Sequence, residues 1–305
     1  MLGFGQTLAV EVDLLFQSKQ FNKAENLLKN HVANNSTDVE AIELLGDAYG
    51  HQERWDEAIE AYKKLVSVDP ENANYHYKYG GALGMKALEN KLKAIGLIGG
   101  IKSSFTKAAE LDREHIDARW ALVELYMQLP GIFGGSMKKS LKYANELETL
   151  SAVDGYLAKG YIYESDEAPI LAEKYYKLAL DVGGSLNCFD RLAKFYENHE
   201  QPEKAIATIE KAAETYKRNA LHYQIGKVCA DYNLELDKGE NCLNIFIANH
   251  SVKDGVPIEW AYFRMAQIHK NKQDKIQALK WIDKALAVRS NFKQAKKEKE
   301  TILDL

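Results

Sequence analysis

Proline and long apolar runs are scarce in this 305-residue chain. It contains only 5 prolines, and alanine, leucine, lysine and glutamate dominate long stretches, which favours helix. The longest apolar run, residues 94–101, is broken by glycines and is far shorter than the roughly 20 residues that span a bilayer. We therefore expect a helical protein with no transmembrane segment.

Cysteine and net charge are also low. The three cysteines, Cys188, Cys229 and Cys242, are too few and too scattered for a disulfide framework or a zinc site, so we expect buried thiols. A net charge of −4 and a hydrophobic content of 46% are typical of a folded soluble protein. This charge gives no sequence-wide attraction to nucleic acid or to an anionic membrane, so neither is an expected partner.

The first residues leave two locations open. As written, the sequence has no secretory signal after Met1, which predicts a soluble cytoplasmic protein. The segment 2–6, Leu-Gly-Phe-Gly-Gln, also resembles the last residues of a bacterial signal peptide before its cleavage site. If translation starts upstream of Met1, the expectation changes to the bacterial periplasm.

Small residues recur along the chain at a nearly constant spacing. Ala24 and Ala58 are 34 residues apart, and Ala172 and Ala205 are 33 apart. Glycine costs about 1 kcal/mol relative to alanine inside a helix. Glycines within helical patterns therefore indicate close contacts between neighbouring helices, and they occur at Gly46, Gly80, Gly160 and Gly226. We expect Gly46 to face Ala58 where two helices cross. Repeats of this length indicate stacked helical hairpins.

The best-matched repeat has a distinctive set of residues on two helices, with a proline after them: Ile42, Leu45, Gly46, Tyr49, Ala58, Tyr62, Leu65 and Pro70. In this pattern the chain resembles the tetratricopeptide repeat (TPR) family. The resemblance implies an all-α, right-handed superhelical solenoid of about eight helical hairpins over residues 5–290, with insertions near 84–105 and 130–136. Residues 291–305 are expected to form a C-terminal capping helix with a thin apolar stripe.

Two glycine-rich stretches invite comparison with phosphate-binding loops. Such a loop needs glycine directly before Lys-Ser or Lys-Thr, but in the first stretch, 96–103, Ile101 separates glycine from Lys102. No strand is predicted before this stretch or before the second one, 130–136. Both therefore read as long turns between paired helices, with Ser136 capping the next helix. An alternative is an anion held at that helix start by Lys102, Lys138 and Lys139. The second stretch also resembles an element of the T component of TRAP-type transporters, a periplasmic family associated with solute uptake.

No residues form a recognisable catalytic arrangement. The 8 histidines have no metal-ligand spacing, and the sequence contains no Gly-x-Ser-x-Gly elbow. His269 replaces a core tyrosine of the repeat, so we expect it to be packed. The sequence therefore predicts no enzyme activity, no metal and no cofactor.

The TPR resemblance implies that five positions of each first helix line a concave groove. In repeats two to five these positions include acidic and aromatic residues and none of them is Lys or Arg, whereas later repeats are mixed. In one interpretation the charges only solvate helix faces and the rings complete the core. In the other, these residues bind a partner, and the expected groove-binding set is Glu40, Glu43, Asp47, Tyr77, Trp120, Glu124, Tyr161, Glu164, Tyr223, Lys227, Trp260 and Phe263.

We therefore expect a non-enzymatic scaffold that binds a peptide or protein segment in this groove. Aromatic side chains and desolvated charges dominate binding hot spots, and complementary charge sets specificity. The expected segment carries Lys or Arg together with apolar anchors. The alternative is a bacterial periplasmic accessory protein that binds a small solute or a transporter component. The sequence does not indicate an oligomeric state.

Overall fold

The computed structural model describes residues 4–89 and 91–305, and the side chains of residues 8–89 and 94–305. The signal-like segment 2–6 lies outside the residues whose side chains are described. Every regular element in the described ranges is helical. The chain divides into two compact units, the first ending at Asp166 and the second running from Glu167 to Leu305.

The first unit consists of helices that pair with their neighbours in chain order. Its helices are α1 (Phe4–Gln17), α2 (Phe21–Asn34), α3 (Val39–His51), α4 (Trp55–Val68), α5 (Ala73–Glu89), α6 (Lys91–Leu111), α7 (Ile116–Gln128), α8 (Met137–Leu150) and α9 (Ala152–Ser165). Helix α4 ends just before Asp69-Pro70, because proline disfavours the helical conformation in the residue before it. Helix α3 begins after Asp38, whose carboxylate accepts a hydrogen bond from the Ala41 amide at 3.1 Å.

Glycines set how closely the paired helices approach. A side-chain carbon at Gly46 would lie 2.6 Å from Tyr62 Cε1, and one at Gly80 would lie 3.0 Å from Phe105 Cδ1. The aromatic ring of the second helix therefore rests directly on the glycine of the first. We expected Gly46 to face Ala58, and the atoms nearest to Gly46 belong to the ring of Tyr62, one helical turn after Ala58.

The insertion near residues 84–105 lengthens two helices. Helix α5 has 17 residues and α6 has 21, against 13 in α3 and 14 in α4. The glycine-rich stretch 96–103 lies inside α6, so its prediction as a turn is wrong. The second stretch does form a turn: residues 131–133 make one 3-10 turn, and Ser136 caps α8 by accepting from the Lys139 amide at 3.3 Å.

Four tight turns between paired helices share one backbone feature. Lys19, Glu53, Glu200 and Gln273 have φ between 54° and 59°, in the left-handed region that favours glycine. Each turn occupies only a few residues between the two helices of a hairpin. These residues adopt an unfavourable conformation because so short a connection must reverse the chain.

The second unit repeats the same pairing. Its helices are α10 (Pro169–Gly183), α11 (Leu186–Asn198), α12 (Pro202–Tyr216), α13 (Asn219–Tyr232), α14 (Leu236–Ala248), α15 (Ile258–Asn271), α16 (Lys275–Val288) and α17 (Lys293–Leu303). Pro202 is the first residue of α12, where the missing amide hydrogen costs nothing. His269 is buried, as predicted.

The last helix packs through the apolar stripe expected from the sequence. Phe292, Ala295 and Ile302 are fully buried in a cluster with Ala278 and Ile282 of α16. The stripe thus joins α17 to the hairpin before it. A single solenoid over 5–290, its right-handed superhelix and a capping role for 291–305 remain predictions.

Candidate functional site

The first helices of successive hairpins contact one another in the first unit. Helix α3 contacts α5 through Glu43, Asp47, Asn74 and Lys78. Lys78 Nζ lies 2.7 Å from Glu43 Oε1 and 2.7 Å from Asp47 Oδ2. Asn74 Nδ2 donates to Glu43 Oε1 at 2.9 Å. The two carboxylates predicted to line the groove are therefore already paired with a lysine of the next repeat.

Lys78 is not among the positions predicted to line the groove, yet it contacts two carboxylates that are. Burial alone would lower the pKa of Lys78, but the carboxylates of Asp47 and Glu43 outweigh it and raise that pKa. Asn74 and Lys78 are four residues apart, which places both on one face of α5. That spacing was visible in the sequence and identifies the residues that we missed.

Tyr62 anchors the same contact from the second helix. Its hydroxyl donates to Asp47 Oδ1 at 2.7 Å. Burial raises the pKa of Tyr62, and the nearby carboxylates of Asp47 and Glu43 raise it further, so the phenol stays protonated. Asp47 therefore accepts from both a tyrosine and a lysine and is fixed in one orientation.

Two of the predicted aromatic residues lie on α5 and α7, where they contact side chains of the next helices. The Tyr77 ring is half-buried, 5.0 Å from the His115 ring between centroids. Burial raises the pKa of Tyr77, and the carboxylates of Asp117 and Glu124 on α7 add to this rise. Trp120 is half-buried and its Nε1 donates to Asp154 Oδ1 at 2.9 Å, which links α7 to α9.

We call this surface the first-helix face. It is formed by α3, α5, α7 and α9, and its open groups are Tyr77, Trp120, Glu40, Asp117 and Glu124. Glu40, Asp117 and Glu124 are exposed, in contrast to the half-buried pair held by Lys78.

Two further predicted residues lie on α9. Tyr161 is partly buried against the core of the unit, and Glu164 is half-buried.

The predicted residues of the second unit are more deeply packed. Tyr223 is 8% exposed and Phe263 is 6% exposed. Trp260 stacks edge-on against Phe292 at 4.6 Å between ring centroids. Both of these rings lie in the cluster that holds α17. These aromatic residues therefore contribute mainly to the core. This agrees with the interpretation of the sequence in which the rings complete the core.

Lys227 belongs to a chain of ion pairs between neighbouring hairpins. Its Nζ lies 2.5 Å from Glu197 Oε2 and 3.3 Å from Asp231 Oδ2. Asp231 also accepts from Arg264 on α15. The sequence predicted a mixed groove in these repeats, and the structure pairs its opposite charges across successive helices.

The structure brings one of the three predicted anion-binding lysines to the second glycine-rich turn. A side-chain carbon at Gly134, where φ is 91°, would lie 3.9 Å from Lys102 Nζ. Lys139 instead lies over the Tyr126 ring, 5.2 Å from its centroid. Lys138 lines a shallow groove on α8 with Met137 and Leu141. The three ammonium groups therefore have different surroundings, and anion binding stays a prediction.

The cysteines are placed as predicted. All three thiols are free and buried, and burial raises the pKa of Cys229 to about 12. Within residues 4–89 and 91–305, no group of three His, Cys, Asp or Glu side chains has the arrangement of a metal site. No helix in the described part of the chain has the length and apolar character needed to cross a bilayer.

Comparison with known proteins agrees with this architecture. The family profile described as "TPR repeat" matches residues 46–86, and that described as "Tetratricopeptide repeat" matches residues 261–292. The fold is thus an all-α array of helical hairpins with this repeat in both units. The chain therefore contains tetratricopeptide repeats.

Several solved structures are similar to this chain at low sequence identity, and the first of them shares its fold. A tetratricopeptide repeat protein from Parabacteroides merdae is 13% identical over 98% of both chains, with a TM-score of 0.54. The Cut9 and Hcn1 hetero-tetramer of the APC/C is 16% identical over 99% of this chain and 57% of the other, with a TM-score of 0.49. YrrB, described as a TPR protein with an unusual peptide-binding site, is 20% identical over 64% of this chain and 97% of its own, with a TM-score of 0.45. No curated protein matches the sequence.

Proposed function

We propose that this protein is a non-catalytic interaction module that binds a peptide or protein segment on the first-helix face. The observation that supports this most is the placement of Trp120 and Tyr77, whose rings are half-buried beside exposed carboxylates. A ring held in this way presents a rigid apolar edge to a partner. Hot spots of protein interfaces are enriched in such rings, surrounded by groups that exclude water.

The charge of the face favours a basic partner. Lys78 already compensates Glu43 and Asp47, which makes that end of the face structural. Glu40, Asp117 and Glu124 are exposed, so lysine or arginine side chains of a bound segment can approach them. Pairs at an exposed rim mainly raise the association rate and its salt dependence. We therefore infer a segment that combines apolar anchors for the rings with basic residues for the carboxylates.

The test is a titration of the full chain with a panel of peptides that vary in lysine and leucine content. Trp120→Ala should weaken binding of the best peptide at least about tenfold, the loss expected for a central aromatic anchor. Glu124→Gln should have a smaller effect and should reduce the salt dependence. Glu110→Gln, an exposed carboxylate on α6, is the matched control and should bind like the wild type.

Circular dichroism establishes that each variant is folded. Equal affinity of folded Trp120→Ala and wild type for every peptide would remove this face as the binding site. The expectation of a periplasmic accessory protein that binds a small solute stays an alternative prediction, and the comparisons do not favour it. The choice between cytoplasm and periplasm is likewise still a prediction.

A further inference from the structure

One hydrogen bond of the first-helix face joins two successive hairpins. The Trp120 indole on α7 donates from Nε1 to Asp154 Oδ1 at 2.9 Å, and Asp154 lies in the first turn of α9. An indole has one N–H donor and no acceptor. The donor of Trp120 is therefore used within the chain, and the ring offers its apolar surface to a partner.

Asp154 is itself held by the residue that caps α9. The Ser151 hydroxyl donates to Asp154 Oδ2 at 2.6 Å, and Ser151 Oγ accepts from the Asp154 amide at 3.3 Å. The two oxygens of the carboxylate thus have different partners, the indole at one and the serine at the other. Asp154 cannot turn without breaking one of these hydrogen bonds, so it is a fixed acceptor.

Capping of α9 does not require this carboxylate. In a capping box, the polar side chain at the third helical position accepts from the backbone amide of the cap residue. The Ser151 amide instead donates to the Leu147 carbonyl at 2.7 Å, and the Ser151 side chain caps the helix. The Asp154 carboxylate is therefore free of the usual capping contact and accepts from the Trp120 indole.

The backbone that carries Asp154 is fixed against α8. A side-chain carbon at Gly155 would overlap the Glu148 backbone, so α9 begins in close contact with α8. The Trp120 ring also packs against the buried core of the unit. Core packing holds the body of the ring and the hydrogen bond holds its N–H edge, which together leave the indole one orientation.

We propose that Asp154 is a positioning residue of the first-helix face, which holds the Trp120 indole in the orientation that a partner contacts, while Ser151 holds Asp154. This inference rests on the proposed function, in which Trp120 is the central anchor. A side chain that is already ordered loses less conformational freedom on binding, which strengthens the complex. Because the indole N–H is bonded to Asp154, the partner places an aliphatic or cationic side chain on Trp120, not a hydrogen-bond acceptor.

The first measurement is the indole region of a proton–nitrogen correlation spectrum of the full chain. The Trp120 signal is the one that is lost in Trp120→Phe. Asp154→Ala should move this signal and speed the exchange of its N–H hydrogen with water. Asp154→Asn keeps an acceptor oxygen and should have a smaller effect. A Trp120 signal that does not respond to Asp154→Ala overturns the inference.

The second measurement is the affinity of the same variants for the peptide that binds the wild type best. Asp154→Ala should weaken binding about two- to tenfold, the range expected when one more side chain has to be ordered on binding. Asp154→Asn should weaken it less. In a Trp120→Phe background, which keeps a ring but has no donor, Asp154→Ala should have no further effect on affinity.

Asp56→Ala is the matched control, because Asp56 is also an acidic residue in the first turn of a helix and is exposed. It removes the same charge and should leave both the Trp120 signal and the affinity unchanged.

Two affinity results would overturn this inference and leave the proposed function standing. One is Trp120-dependent binding that Asp154→Ala does not weaken. The other is an equal loss from Asp154→Ala in the Trp120→Phe background, which would mean that Asp154 contacts the partner directly. If no peptide binds in a Trp120-dependent way, the proposed function fails and this inference fails with it.

Discussion

Replacing Gly46 with alanine tests how tightly the paired helices of the first unit pack. The added methyl carbon would lie 2.6 Å from Tyr62 Cε1, 2.9 Å from Cζ and 3.0 Å from Cδ1. Favourable carbon contacts are near 3.5–4.0 Å, so the ring has to move by about 1 Å. The Tyr62 hydroxyl resists that movement, because it donates to Asp47 Oδ1 at 2.7 Å.

Three effects set the expected change in stability. Alanine improves helix propensity by about 1 kcal/mol relative to glycine. Overpacking costs about 1–3 kcal/mol, and loss of a hydrogen bond to a charged group costs about 1.5–3 kcal/mol. We therefore expect Gly46→Ala to lower the free energy of unfolding by about 2 kcal/mol, which corresponds to a fall in Tm of about 4–8 °C.

The assay is urea unfolding followed by circular dichroism, with thermal melting as a second measurement. Gly81→Ala on α5 is the matched control, because a side-chain carbon there has no atom within 4 Å; it should raise stability by up to about 1 kcal/mol. In a Tyr62→Phe background the ring can shift, so Gly46→Ala should cost less. If Gly46→Ala is as stable as the wild type, the close packing of glycine against tyrosine is refuted.

Three further outcomes follow from the same structure. Burial alone would raise the pKa of Glu25, but hydrogen bonds from Lys29, Gln52 and Arg54 lower it to about 2. The ionised Glu25 carboxylate therefore stabilises the folded protein at pH values above 4.5, the pKa of this group in the unfolded chain. The free energy of unfolding should fall by up to about 3 kcal/mol as the pH drops from there toward 2. Glu25→Gln should flatten this acid dependence in urea titrations. Gly135→Ala should destabilise the first unit by more than Gly46→Ala, because its side-chain carbon would lie 1.7 Å from the Leu129 carbonyl oxygen; unchanged melting would contradict that. Buried thiols should react with a disulfide reagent at pH 8 only after denaturation, and rapid labelling of native protein would contradict the burial of Cys229.

The sequence predicts the hairpins well because their signals are local. Small residues at a fixed spacing mark the helix crossings, and proline marks the end of α4 before Pro70 and the start of α12 at Pro202. The glycine-rich stretch 96–103 misled the prediction, since its low helix propensity suggested a turn. Ile101 and Phe105 lie four residues apart and are both buried, so tertiary packing keeps that segment helical despite its glycines.

The candidate site is less predictable because it depends on partners from other repeats. Glu43 and Asp47 look like open carboxylates in the sequence, and only the packing of α5 on α3 places Lys78 between them. Trp260 and Phe263 look like groove residues, yet Phe292, just before the last helix, packs against both. In each case the pairing depends on which residue of the next hairpin comes within reach, and repeat spacing alone does not fix that.

The four left-handed turn residues offer a way to adjust heat tolerance gradually. A non-glycine residue in this conformation costs about 1–2 kcal/mol, which glycine avoids. Because Lys19, Glu53, Glu200 and Gln273 belong to separate hairpins, glycine substitutions there should act independently and their increments should add. Variants with one to four such changes would form a graded series in which the melting temperature rises stepwise while the first-helix face stays as it is.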